Sequence, residues 1–154
     1  MLIFKALHIL SMFAMVTIEI GAEFLYAFAI SRRDVRVLAT IHRILEHSRA
    51  GPISIVALVA GVAFGLLTAA TGGLDFFDGW LIAAYVLVAV FAVNAGRVAG
   101  KMVRLGADAV EAEAGRRPVE DVVRDMVASR LLRWFALDVA LVVAIILDMV
   151  LKPF

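Results

Sequence analysis

The chain has 154 residues, of which 64% are hydrophobic and 19% charged, with a net charge of +1 and no cysteine; its mean hydropathy is +0.99. Soluble domains hold roughly 45–50% apolar residues, so a water-soluble globule is excluded, and so is disorder, which needs few apolar residues and a high net charge. The near-neutral balance gives no basis for nucleic-acid binding, and the lack of cysteine removes disulfides, thiolate metal sites and thiol catalysis.

A membrane-crossing helix needs about 20 largely apolar residues to cover roughly 30 Å of hydrocarbon. Four segments qualify. Ala6 to Ile30 carries Glu19 and Glu23 inside it; Ala50 to Leu74 is free of charge between Arg49 and Asp75; Gly79 to Gly96 is bounded by Asp78 and Arg97; and Trp134 to Leu151 contains Asp138 and Asp148. Lys5 and Ala27-Phe28-Ala29 give the first segment some likeness to a cleaved leader, but the two glutamates argue for a retained span. No segment alternates with period two, as barrel strands would. The expectation is an all-α membrane protein, one domain over residues 1–154, with a four-transmembrane-helix bundle spanning about 4–30, 52–73, 79–100 and 132–151.

Thirteen of the fifteen Lys and Arg residues fall between spans one and two or between spans three and four, whereas the turn between spans two and three is acidic. Cytoplasmic loops hold the excess of positive charge, so both termini are expected outside. Between spans one and two, Leu38, Ile41 and Leu45 recur at helical spacing among arginines, as in a helix lying near anionic headgroups. Residues 101–131 read as a cytoplasmic helical hairpin: span three continues to Ala114, Gly115 stops it, and Pro118 starts a helix with an apolar stripe of Val119, Val122, Val123, Met126 and Val127. A protein partner is expected on this hairpin, beside the lipid bilayer itself.

Small residues let helices approach in lipid. Span two offers Ala57, Gly61, Gly65 and Ala69, and span three Ala92, Gly96 and Gly100. These ridges serve packing within the bundle or a homodimer through Gly61/Gly65 or Gly96/Gly100. The short turn predicts that spans two and three are antiparallel neighbours with facing ridges.

Ionisable groups at membrane depth usually face an interior or a cavity and carry functional information. On span one His8, Met12, Met15, Glu19 and Tyr26 share a face, with Glu23 a little further round. Matching depths gives an outer layer of His8, Asp148 and Lys152 and an inner layer of Glu19, Glu23, Asp138, Asn94 and Arg97. His8 reads as an axial ligand of haem b, with Met12, Met15 or Met149 as a second ligand, or as an interfacial histidine donating to a carbonyl or to Asp148. Glu19 and Glu23 read as a proton or cation pathway, or as a structural pair with Arg97. The run His42-Arg43-Ile44-Leu45-Glu46-His47 matches neither metalloprotease spacing, and no metal site is expected.

The opening Lys5-Ala6-Leu7-His8-Ile9-Leu10, the Gly79-Trp80-Leu81 start of span three and the closing Met149-Val150-Leu151-Lys152-Pro153-Phe154 resemble the small bacterial membrane proteins grouped around HemJ-type protoporphyrinogen oxidases, CopD-like domains and a neighbouring family of predicted integral membrane proteins of unknown function. The resemblance implies a bacterial cytoplasmic membrane and places His8 where HemJ-type proteins hold a haem-binding histidine. Those proteins tend to have a lysine shortly after the tryptophan of span three; Trp80-Leu81-Ile82-Ala83-Ala84-Tyr85 lacks it, which argues against an enzyme of that activity and for the relatives of unknown function. The functional expectation is electron or proton transfer in a polar bundle interior with haem b; the alternative is an accessory or assembly subunit docking a partner through the hairpin.

Overall fold

The computed structural model of the protein describes residues 2–151. Among them are six helices and no strand: α1 (Leu2–Arg32), α2 (Val35–His47), α3 (Ala50–Gly72), α4 (Gly79–Glu113), α5 (Val119–Ala128) and α6 (Leu131–Leu151). Four of these, α1, α3, α4 and α6, are long and apolar enough to cross a membrane. Their outer faces carry large apolar side chains such as Phe13, Phe24, Val59 and Leu147. Such surface is tolerated only where the surrounding solvent is itself apolar. Two hydroxyls within α3 are satisfied inside the helix, Thr68 and Thr71 donating to the carbonyls of Phe64 and Leu67 at 2.7 Å.

The helix corners have local causes. Asp34 caps α2 by accepting from the Val37 amide at 3.0 Å. In the α3–α4 turn the Asp75 carboxylate accepts from the Phe77 amide, and the Asp78 carbonyl receives the Leu81 and Ile82 amides of α4. Gly115 ends the α4 extension with φ +73°, a left-handed conformation that glycine adopts without strain. Arg33, Arg49 and Arg130 occupy the same left-handed region, with φ between 53° and 55°, at the α1–α2, α2–α3 and α5–α6 corners.

Neighbour order differs from that expected from the short turn. The closest pairs are α1 with α3 and α4 with α6, and α1 also touches α6, so α3 and α4 lie apart although six residues join them. The cause is the α3 ridge. Gly61 and Gly65 face α1, where a methyl built on Gly61 would meet Met12 Sδ at 2.5 Å and one on Gly65 would meet the His8 ring at 3.0 Å. That ridge is therefore covered within the chain and is not free for a second copy. On α4, by contrast, nothing lies within 4 Å of a methyl built on Gly96 or Gly100.

The interior divides along the bundle. At one end a core of Tyr26, Leu38, Ile41, Val98, Leu105, Val122, Met126, Leu131 and Phe135 is shared by α1, α2, α4, α5 and α6. The apolar face of α2 is thus buried against protein, not spread on headgroups as the sequence pattern suggests, because α4 extends far enough to receive it. On α5, Val122 and Met126 enter this core, whereas Val119 and Val127 stay exposed. Further along, Met15, Phe91, Ala95, Val142 and Ile145 fill the middle of the four long helices, and Ala69, Trp80 and Leu81 close the far end.

Candidate functional site: a buried carboxyl cluster

Helix α1 lies between α3 and α6, so acids on one of its faces can reach both. Glu19 accepts a hydrogen bond from Ser54 Oγ of α3 at 2.8 Å. One turn on, Glu23 is only 3% exposed and faces Asp138 of α6, which is 0% exposed. Asn94 of α4 donates to Asp138 Oδ1 at 2.8 Å, its amide also lying 3.4 Å from the Trp134 carbonyl. Both Glu23 oxygens and Asp138 Oδ2 are buried without a donor. Two acceptor groups confront each other here, and a hydrogen bond between them forms only when one holds a proton.

No cation compensates this cluster among the described residues. Arg97 is exposed on α4 and makes no ion pair there, so the expected pairing of Glu19 or Glu23 with Arg97 is corrected. Depth along the helix puts Arg97 at a similar level but does not fix its azimuth. Nor do the described residues contain a group of three or more His, Asp or Glu side chains arranged to hold a metal ion.

Next to Glu23 on the same face of α1 is Tyr26, 1% exposed, whose hydroxyl lies 3.0 Å from His42 Nδ1 of α2. Gly106 of α4 makes this contact possible: a Cβ there would collide with both the His42 ring and the Tyr26 hydroxyl. His42 is half-buried. Glu23, Tyr26 and His42 therefore form a polar file from the cluster toward the α2 end. Sequence inspection alone gave Ser54, Gly106 and His42 no such role. Ser54 could have been noticed as a hydroxyl inside an otherwise apolar run; the other two depend on the packing of α2 against α4.

The second polar level is separate. His8 Nδ1 is 2.7 Å from the Gly61 carbonyl, so His8 turns to α3 and not to Asp148. Asp148 is buried on α6 with Oδ2 unpartnered; Lys152, its expected partner, lies outside the described residues. Met12 packs against Gly61, Met15 is buried in the central apolar cluster, and Met149 packs partly buried between the central and far clusters. Met12 and His8 thus lie against the same α3 ridge, while Met15 and Met149 pack in the apolar clusters.

Beyond the membrane-spanning part, charges pair at the surface. Arg117 binds Asp108 of α4 and Asp125 of α5, and Arg43 of α2 donates to Glu113 at 2.6 Å, holding that carboxyl below the usual carboxylate range. No curated protein matches the chain, and neither does any solved structure. The family described as "Predicted integral membrane protein (DUF2269)" matches residues 2–153. With four apolar helices of spanning length and a match over nearly the whole chain, the protein belongs to this family of integral membrane proteins.

Proposed function

We propose that the protein exchanges protons at membrane depth through Glu19, Glu23 and Asp138, in a bacterial cytoplasmic membrane, with both termini outside and α2 and the α4–α5 hairpin in the cytoplasm. The orientation rests on the thirteen cations at the α2–α5 end. The observation that carries the function is the pair Glu23 and Asp138, buried face to face with no cation beside it. Two uncompensated charges at this separation in a medium of low dielectric repel each other and cost several kcal/mol each to desolvate, so the stable arrangement carries a shared proton. The Tyr26–His42 pair stands between the cluster and the α2 end, where a proton would leave, and Asn94 and Ser54 orient the acceptors. On the other side Met15, Phe91, Val142 and Ile145 form an apolar plug before the level of His8 and Asp148, so access is one-sided. Infrared difference spectroscopy tests this directly: the wild-type protein in nanodiscs should show the carbonyl stretch of a protonated, buried carboxyl group, and Glu23→Gln should remove it. A wild-type spectrum without that band would mean that two charged carboxylates are tolerated and would end the proposal.

A second reading, haem b on His8, is favoured by one contact. With Nδ1 held by the Gly61 carbonyl, Nε2 has the fixed orientation that an axial ligand needs. Met15 and Met149 pack in apolar clusters that fill the interior between the helices, so a haem would have to approach from the lipid side. Protein expressed with ample haem precursor and lacking a Soret band would remove this reading. Docking of an accessory subunit's partner would use the exposed Ile44, Val119 and Val127 rather than the hairpin as a detachable unit, since Met102, Leu105, Val122 and Met126 belong to the core.

A further inference from the structure

Helix α4 carries a second constructed feature, remote in role from the carboxyl cluster and independent of the proposal made for it. Gly96, Arg97, Gly100, Lys101 and Arg104, together with Trp134 at the start of α6, line a groove of about 330 Å³. The three cations recur at i, i+4 and i+7 and therefore share one helix face. Arg97 and Arg104 make no ion pair among the described residues, while Lys101 Nζ lies 5.0 Å from the centre of the Trp134 ring and 3.5 Å from the Ser129 carbonyl. Arg43, Arg116, Arg117 and Arg124 at this end find carboxylates; Arg97 and Arg104 do not, and with Lys101 they stand exposed around an open slot.

Depth gives the groove its meaning. Arg97 follows Gly79 by 18 residues, or about 27 Å of helix, which brings it to the far edge of a hydrocarbon layer roughly 30 Å thick. Lys101 and Arg104 then stand one and two turns further, at the level of lipid phosphates, and Trp134 takes the interfacial position that amphipathic rings prefer. Toward the membrane centre the same face continues as exposed Val86, Val90 and Val93. At its head end Gly96 and Gly100 leave the backbone uncovered, with nothing within 4 Å of a methyl built on either. An apolar track leading into a flat-floored cationic slot has the shape and polarity of a phospholipid. A second copy of the chain would bring three like charges against three, so the open ridge suits a lipid better than the homodimer its glycines suggest.

We infer that this groove binds the phosphate of an anionic phospholipid, with an acyl chain lying along Val93, Val90 and Val86 and the headgroup held by Arg97, Lys101 and Arg104. The test is native mass spectrometry of the full chain released from nanodiscs of phosphatidylcholine with and without phosphatidylglycerol. The wild-type protein should retain phosphatidylglycerol in preference to phosphatidylcholine. Each of Arg97→Gln, Lys101→Gln and Arg104→Gln should weaken retention about fivefold, the worth of one basic residue near an anionic surface. Gly100→Leu keeps every charge but fills the slot, and should also lose the retained lipid. Equal retention of the two lipids, or full retention by Gly100→Leu, would overturn the site and leave only a diffuse basic surface. Release of the lipid by inorganic phosphate as readily as by short-chain phosphatidylglycerol would make free phosphate the ligand and overturn the lipid assignment, and dimers without lipid would do the same in favour of a second copy. An unchanged far-ultraviolet circular dichroism spectrum and thermal transition in the variants shows that the fold has survived.

Discussion

The two ends of this molecule follow opposite rules. Around α2 and α5 it is built as a soluble protein would be: apolar residues such as Leu38, Val122 and Met126 are inside, and Arg117, Arg43 and their carboxylate partners are outside and paired. Along the four long helices Phe24, Val59 and Leu147 face outward, while Glu23 and Asp138 are inside and lack a cation. The difference shows what each solvent permits. Water rewards burial of apolar surface and screens charge, so ion pairs at the α2 end are cheap and weak. Lipid offers no such drive, so the membrane part is joined by small residues, a histidine-to-carbonyl bond and a carboxyl cluster.

Substitutions can break this contrast, and their effects should fall in order. Leu38→Ala deletes a fully buried side chain from the α2 end and should cost about 2–5 kcal/mol in denaturant unfolding of the micelle-bound protein; a loss well under 1 kcal/mol would show that this end is not close-packed. Asn94→Leu removes the donor to Asp138 Oδ1 and should cost about 1–3 kcal/mol by leaving a buried acceptor unsatisfied. If stability is unchanged, the carboxyl cluster is hydrated and the contrast is weaker than drawn. Arg117→Ala should have the smallest effect, less than about 1 kcal/mol and shrinking as salt is added, because its side chain is about a third exposed at 31% and solvent screens both of its partners. A large, salt-independent loss would place Arg117 in the core's account and not on its surface.

How far the sequence could be read follows from the same contrast. The apolar runs announce α1, α3, α4 and α6 because spanning lipid requires length and composition that little else does. Leu38 and Ile41, and Val122 and Met126, announce apolar stripes on α2 and α5 because helical period is strong next to water, but that the α2 stripe is buried on α4 rather than laid on headgroups comes only from the packing. Inside the membrane that signal fails: every face of α3 is apolar, so its pairing with α1 instead of α4 is not written in its hydropathy. The neighbours of His8 and Arg97 were illegible for related reasons. A backbone carbonyl is among the partners expected for His8, but no residue letter shows that it is Gly61's; the position of Arg97 depends on rotation about α4, which depth along the helix does not fix. Glu19, Glu23 and Asp138 stood out because acids in apolar runs are rare, yet only the packing of α1 between α3 and α6 shows which oxygens meet.

The three corners at the α2–α5 end turn on arginine in a conformation where glycine would be at ease. A left-handed residue with a side chain costs roughly 1–2 kcal/mol, so glycine at Arg33, Arg49 or Arg130 would relax the backbone. It would also subtract a positive charge from the loops that direct how the chain enters the membrane. Under the proposed orientation these positions answer to two judges, the folded state and the insertion machinery, and arginine suits the second. Thermostability screens run on purified protein would select glycine there, while the cell, which must first set the chain the right way round, would keep arginine.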